Sequence, residues 1–76
     1  MKSISENIAQ KIIFKKKELT FMKLSCSELT YKEIADKMCL SPKTIDHYRS
    51  DLFLKLQVKN RVGLVLYAIK NEIYRL

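Results

Sequence analysis

The sequence predicts an all-α domain of four helices over residues 14–76, with an N-terminal arm or linker over residues 1–13. Three observations support this. One Gly and one Pro in the whole chain leave almost no material for the tight turns of a hairpin-rich β fold. Apolar residues return at intervals of three and four, the helical period. Two segments open with helix-initiation chemistry, at Thr30 and at Ser41-Pro42.

The first thirteen residues, MKSISENIAQKII, carry Ile4, Ile8 and Ile12 at a spacing of four. That suits an extra helix with one apolar stripe. A frayed, disordered arm or linker fits equally well. In KKKELTFMKLSC, Leu19, Phe21, Met22 and Leu24 fall mainly on one face, which predicts a helix over 16–26 with Phe14 as an upstream anchor. TYKE follows. Thr30 is a good N-cap and Glu33 stands at N3, completing a capping box; Leu29 and Ile34 occupy the positions of a hydrophobic staple. Ile34, Ala35 and Met38 then continue a short helix over 31–38. After a three-residue connection, Ser41 caps the next helix. Pro42 sits at N1, where its fixed φ suits a helix start. Ile45, Tyr48, Leu52 and Leu56 carry that helix to about Gln57. Asn60 caps the last one, and Val62, Val65, Leu66, Ile69 and Ile73 extend its spacing to about Tyr74. Gly63 near its start weakens the helix by about 1 kcal/mol relative to Ala, and permits close approach of another backbone. Two short helices joined by three residues, with a Ser-Pro start on the second, match a helix-turn-helix.

The 76 residues fit one domain. An apolar share of 47% is too high for a disordered chain. Fifteen Lys and Arg against eight Asp and Glu give a net charge of +7, which attracts polyanions. Nucleic acid is the first candidate and an anionic membrane the second. Cys26, Cys39 and a single His form no CxxC and no Cys/His cluster, which argues against a metal site. The spacing admits a disulfide, but two buried thiols in a reducing compartment are the expectation. The N-terminus has no uninterrupted apolar h-region, and no run approaches the roughly 20 apolar residues of a membrane span. The chain therefore reads as soluble and cytoplasmic. No nucleophile–base pair or Gly-rich loop is visible, so neither an enzyme nor a cofactor is expected.

KELTFMKL, LTYKEIADKMCLSPKTI and LFLKLQVKNRVGLVLYAI together resemble the LuxR/FixJ-type (GerE-type) helix-turn-helix domain of bacterial transcription regulators. The resemblance spans about Phe14 to Ile69. Its core is Glu33-Ile34-Ala35, then Leu40-Ser41-x-x-Thr44-Ile45, then Lys55-Leu56. It implies four helices with the third in the DNA major groove. It also implies dimerisation through the fourth helix on DNA, and commonly a place behind a receiver domain in two-component response regulators. The 76 residues hold no receiver domain; an excised domain and a stand-alone regulator both fit. Four positions differ from the family's usual residues: Tyr48 for His, Asp46 for Lys, Cys39 for Gly in the turn, and Glu28 for Gly in the loop after helix one.

With Ile45, Leu52 and Leu56 facing inward, the outer face of the third helix carries Lys43, Asp46, His47 and Ser50, with Arg49 at its edge. In register with the family, Asp46, His47 and Ser50 are the base-facing candidates. Asp46 can accept from cytosine N4, though a carboxylate there also complements the helix dipole. Tyr48 falls on the packed side. The phosphate candidates are Thr30, Tyr31, Lys32, Lys43, Thr44, Arg49, Lys59 and Arg61. Lys55, Lys59 and Arg61 form a second basic cluster. Some of these residues have a competing structural role: Thr30 is needed as a cap, Arg49 can pair with Asp46, and the resemblance implies an acidic partner for Lys55, with Glu18 and Glu33 the carboxylates that could accept it or Arg61. The last helix is apolar nearly all round, which predicts a partner. Leu66, Tyr67, Lys70 and Asn71 are the candidate contacts of a weak homodimer, unless the Ile4/Ile8/Ile12 stripe covers that face. The leading expectation is sequence-specific binding of double-stranded DNA. The alternative is a helical protein-interaction module docking on RNA polymerase or another regulator. Salt dependence separates the two.

Overall fold

The computed structural model describes residues 13–75. Within them the chain forms four helices and no strand: α1 (Lys16–Ser25), α2 (Tyr31–Met38), α3 (Pro42–Leu56) and α4 (Arg61–Lys70). The Ile4/Ile8/Ile12 stripe lies outside the described residues.

Phe21, Met22, Ile34, Ala35, Ile45, Leu52, Leu64 and Ala68 form the core, at least one pair from each helix. α1 is the hub and packs against all three other helices, while α2 lies on α3 and α3 on α4. Each fully buried large side chain here contributes about 1.5–3 kcal/mol. For a domain of this size, losing one such group removes a large part of the total stability.

The caps match their chemistry. Thr30 N–H donates to Glu33 Oε1 at 2.8 Å and Glu33 N–H donates to Thr30 Oγ1 at 3.1 Å, a complete capping box. The Thr30 N–H first, and then the Thr30 side chain, hold the Glu33 carboxyl below its ordinary value. Ser41 Oγ accepts from Thr44 N–H at 3.1 Å, with Pro42 in the first turn. Asn60 Oδ1 accepts from Gly63 N–H at 3.0 Å.

The helix ends differ more from expectation. Three non-glycine residues adopt the left-handed conformation: Cys39 (φ 58°), Gln57 (φ 56°) and Glu72 (φ 59°). Each closes a helix in the same way. The residue after it returns its N–H five positions back: Leu40 to Ala35 O, Val58 to Phe53 O, and Ile73 to Ala68 O. These are Schellman closures, and Leu40, Val58 and Ile73 supply the accompanying apolar contact by packing on the core. A side chain with a Cβ is strained in this conformation, so each closure costs about 1–2 kcal/mol. Glu28, by contrast, has no positive φ.

The third closure corrects the expected end of α4. Ile73 keeps helical spacing with Ile69, yet the helix stops at Lys70 rather than near Tyr74. Glu72 turns the chain back, and Ile73 and Tyr74 reach the core from outside the helix. The expected burial of both thiols is also corrected. Cys26 is half-buried, but Cys39 is exposed because it sits at the apex of a closure; both thiols are free. Finally, Gly63 admits no second backbone. A Cβ there would lie 3.0 Å from Val58 Cβ, so the small residue makes room for the chain's own linker.

Candidate nucleic-acid interface

α3 is held in place by its buried residues Ile45 and Leu52, with Tyr48 and Leu56 half-buried beside them. Tyr48 stacks on Phe21 with ring centroids 6.3 Å apart. That fixes the helix about its axis and leaves Lys43, Asp46, His47 and Ser50 exposed on the opposite side. Lys43, Thr44 and His47 line a shallow open depression of about 180 Å³ at the start of the helix. The Thr44 hydroxyl lies 3.0 Å from Ser41 Oγ.

The remaining candidates fall into two groups. Thr30, Lys32 and Lys59 are exposed, with Thr30 also engaged in its capping box. Tyr31, Arg49 and Arg61 are half-buried and form one cluster. The Tyr31 ring stacks on Phe21 at 6.0 Å. The Arg49 guanidinium lies over that ring at 5.0 Å and the Arg61 guanidinium at 5.1 Å, within cation–π range. Arg49 also pairs with Asp46 at 3.4 Å.

Arg61 has a structural task that its sequence position did not reveal. Its Nε donates to Ser25 O at 3.0 Å and its Nη2 to Ser27 O at 2.9 Å, so it caps the C-terminal end of α1. Lys55 is turned inward as well. Its ammonium lies 3.2 Å from Glu18 Oε2 and 5.7 Å from the Phe14 ring centroid. Burial pushes the Glu18 carboxyl up, but the Lys15 N–H and the Lys55 ammonium outweigh it and hold the group below its ordinary value. The basic cluster suggested by Lys55, Lys59 and Arg61 is thereby divided, with two of its three members engaged by the fold. The double use of Tyr31 was also missed. Only the order Phe21, Tyr31, Tyr48 hinted at it: three aromatics on three helices that must meet.

On α4, Val62 is 66% and Leu66 is 61% exposed, while Lys70 and Asn71 are exposed just beyond them. Tyr67 is half-buried, with its ring edge-on to Phe14 at 6.3 Å. Among the described residues no group of His, Cys, Asp and Glu is placed to hold a metal ion. No described helix is long and apolar enough to cross a membrane.

A short helix, a three-residue turn and a longer capped helix with a polar outer face define a helix-turn-helix domain. The comparison with known proteins gives it a family. Residues 13–68 match the bacterial regulatory proteins of the luxR family, and the chain belongs to that family. It is a family of regulators and not an enzyme class. The chain is 32% identical to the response regulator GacA of Pseudomonas protegens over 84 aligned positions, covering 90% of the chain and 38% of the relative. It is 36% identical to the fimbriae Z protein of Escherichia coli (strain K12), covering 84% and 30%. It is 34% identical to the oxygen regulatory protein NreC of Staphylococcus carnosus, covering 80% and 28%. The chain thus spans well under half the length of each of these curated relatives. No solved structure matches it significantly.

Proposed function

We propose that this chain is a DNA-binding domain of a bacterial transcription regulator. It binds double-stranded DNA with sequence preference and places α3 in the major groove. One observation carries the reading above the others: α3 is locked by Ile45 and Leu52 so that Lys43, Asp46, His47 and Ser50 all project from the face opposite the core. Polar side chains in the first half of such a helix are those that meet base edges. The net charge of +7 and the luxR-family membership support the same reading.

In this docking, Asp46, His47 and Ser50 read bases. Lys43, Thr44, Thr30, Lys32 and Lys59 contact phosphates, and Tyr31 lies at the rim. Arg61 contributes by holding α1 to the start of α4. The exposed Val62 and Leu66, flanked by Lys70 and Asn71, form the contact of a weak symmetric dimer, which matches a two-fold DNA site. The response-regulator relative supports a place for this domain within a longer regulator. The same exposed stripe favours the second reading, docking on RNA polymerase or another regulator.

Selection of bound duplexes from a random pool tests the proposal. Enrichment of one motif, in two inverted copies, is the expected result. Recovery of an unenriched pool would remove the sequence preference, and failure to retain any duplex would leave the protein-docking reading.

A further inference from the structure

Asp46 is the residue that fits least well among phosphates, and the structure gives it a specific neighbour. Its Oδ1 lies 3.4 Å from Arg49 Nη2, one turn along α3. The same guanidinium lies 5.0 Å from the centre of the Tyr31 ring. That ring has little freedom. It stacks on the fully buried Phe21, and it carries the Arg61 guanidinium, which is tied to two backbone carbonyls. Arg49 is therefore held from two sides, by a carboxylate on its own helix and by an anchored aromatic face on α2. Its side chain is only 35% exposed, whereas that of Asp46 is 57% exposed and remains open to an incoming donor.

We infer that Asp46 is a specificity-determining residue that works through Arg49, coupling one base contact to one phosphate contact. The inference rests on the DNA-binding reading above. Without a base partner, the Asp46 carboxylate keeps Arg49 on Tyr31 and neutralises it, so a duplex of arbitrary sequence gains nothing from that cation. A base-edge amino donor of the cytosine N4 kind competes for the carboxylate. Once Asp46 turns to the base, Arg49 is free to swing from Tyr31 to a phosphate. The correct sequence then collects both contacts and the wrong sequence neither. Asp46 acts as a positioning residue for Arg49, and its negative charge lowers affinity for arbitrary DNA as the means of raising discrimination.

A double-mutant cycle on DNA affinity tests this. The variants are Asp46→Asn, Arg49→Met and the double variant. The probes are a mixed-sequence duplex and the duplex selected from the random pool, titrated across salt. On the mixed-sequence probe, Asp46→Asn is expected to bind about three- to tenfold more tightly, with a log–log salt slope steeper by about 0.9, as one more phosphate is neutralised. In the Arg49→Met background the same substitution changes affinity by less than about twofold and leaves the slope in place. Discrimination between the probes falls in Asp46→Asn. If Asp46→Asn tightens binding equally with and without Arg49, the carboxylate acts only as bulk charge and the inference is wrong. It is equally wrong if Asp46→Asn changes nothing while the wild-type chain binds both probes. If the wild-type chain binds neither probe, the DNA-binding reading itself falls. Both sites lie on α3 outside the core, so thermal unfolding serves as a check that every variant folds.

Discussion

The Lys55 ammonium lies 3.2 Å from the Glu18 carboxylate, joining the last turn of α3 to the first turn of α1. Glu18 is 6% exposed and also accepts the Lys15 N–H at 2.9 Å, so one carboxylate serves as helix cap and as interhelix tie. The Lys55 side chain is 34% exposed, which places the pair between the near-zero value of a surface ion pair and the larger one of a buried pair. A cycle of Glu18→Gln, Lys55→Met and the double variant is expected to give a coupling of about 1–2 kcal/mol in urea unfolding. A coupling indistinguishable from zero would show that the contact merely follows from the fold.

Acid sensitivity follows from the same carboxylate together with Glu33. Both have folded-state values below the ordinary 4.5. Between the folded and unfolded values, the unfolded chain binds more protons, so lowering the pH favours unfolding. The stabilisation is complete above pH 4.5 and is lost as the pH falls through the folded values. Urea midpoints measured from pH 7 to pH 3 should drop in the wild type. The Glu18→Gln, Glu33→Gln double variant should be less stable at neutral pH and show a shallower drop. An unchanged drop in that variant would assign the acid sensitivity to other groups.

Gly63 gives a prediction whose sign depends on a neighbour. Alanine is favoured over glycine in a helix by about 1 kcal/mol, but its Cβ would stand 3.0 Å from Val58 Cβ. Gly63→Ala is expected to destabilise the domain by about 1 kcal/mol, the crowding outweighing the propensity. Made in a Val58→Gly background, which removes that Cβ, the same change should stabilise. Stabilisation in both backgrounds would show that the linker yields freely.

Arg61 separates a structural role from a phosphate contact. Arg61→Met removes two hydrogen bonds to the end of α1 and is expected to cost about 1–3 kcal/mol of stability. Lysine should recover less than half of it, because only the guanidinium fork reaches both carbonyls. The salt slope of DNA binding should stay as in the wild type below the melting temperature. A stable Arg61→Met variant with a slope shallower by about one would make Arg61 a phosphate ligand instead.

The helices and their starts were readable because caps are local chemistry. Thr30 with Glu33, Ser41 with Pro42, and Asn60 each act within a turn of chain, and all three stand where expected. Helix ends were harder. Gln57 and Glu72 close their helices in a left-handed conformation that favours glycine, and neither residue type announces it. Ile73 illustrates the difficulty: its spacing from Ile69 suits a continuing helix, while its contact is that of a closure. The outer face of α3 followed from the inward positions of Ile45 and Leu52. Periodicity supplies no long-range polar tie: the Lys55–Glu18 pair was one of the pairings the family resemblance suggested, while the bonds of Arg61 to Ser25 and Ser27, more than thirty positions away, were not foreseen. They matter because they engage two cations that charge alone would have left free.

The most direct test of the account is DNA affinity across salt for the wild type, Lys43→Ala, Thr44→Ala, Asp46→Ala and His47→Ala, on the selected duplex and on a mixed-sequence duplex. Wild-type affinity should fall steeply with salt, by roughly 0.9 log units per log unit for each phosphate neutralised. Lys43→Ala and Thr44→Ala should weaken both probes alike, with the slope of Lys43→Ala shallower by about one. Asp46→Ala and His47→Ala should change the ratio between the probes. Affinity independent of salt, or all four variants binding both duplexes as the wild type does, would show that α3 is not the surface this protein presents to DNA.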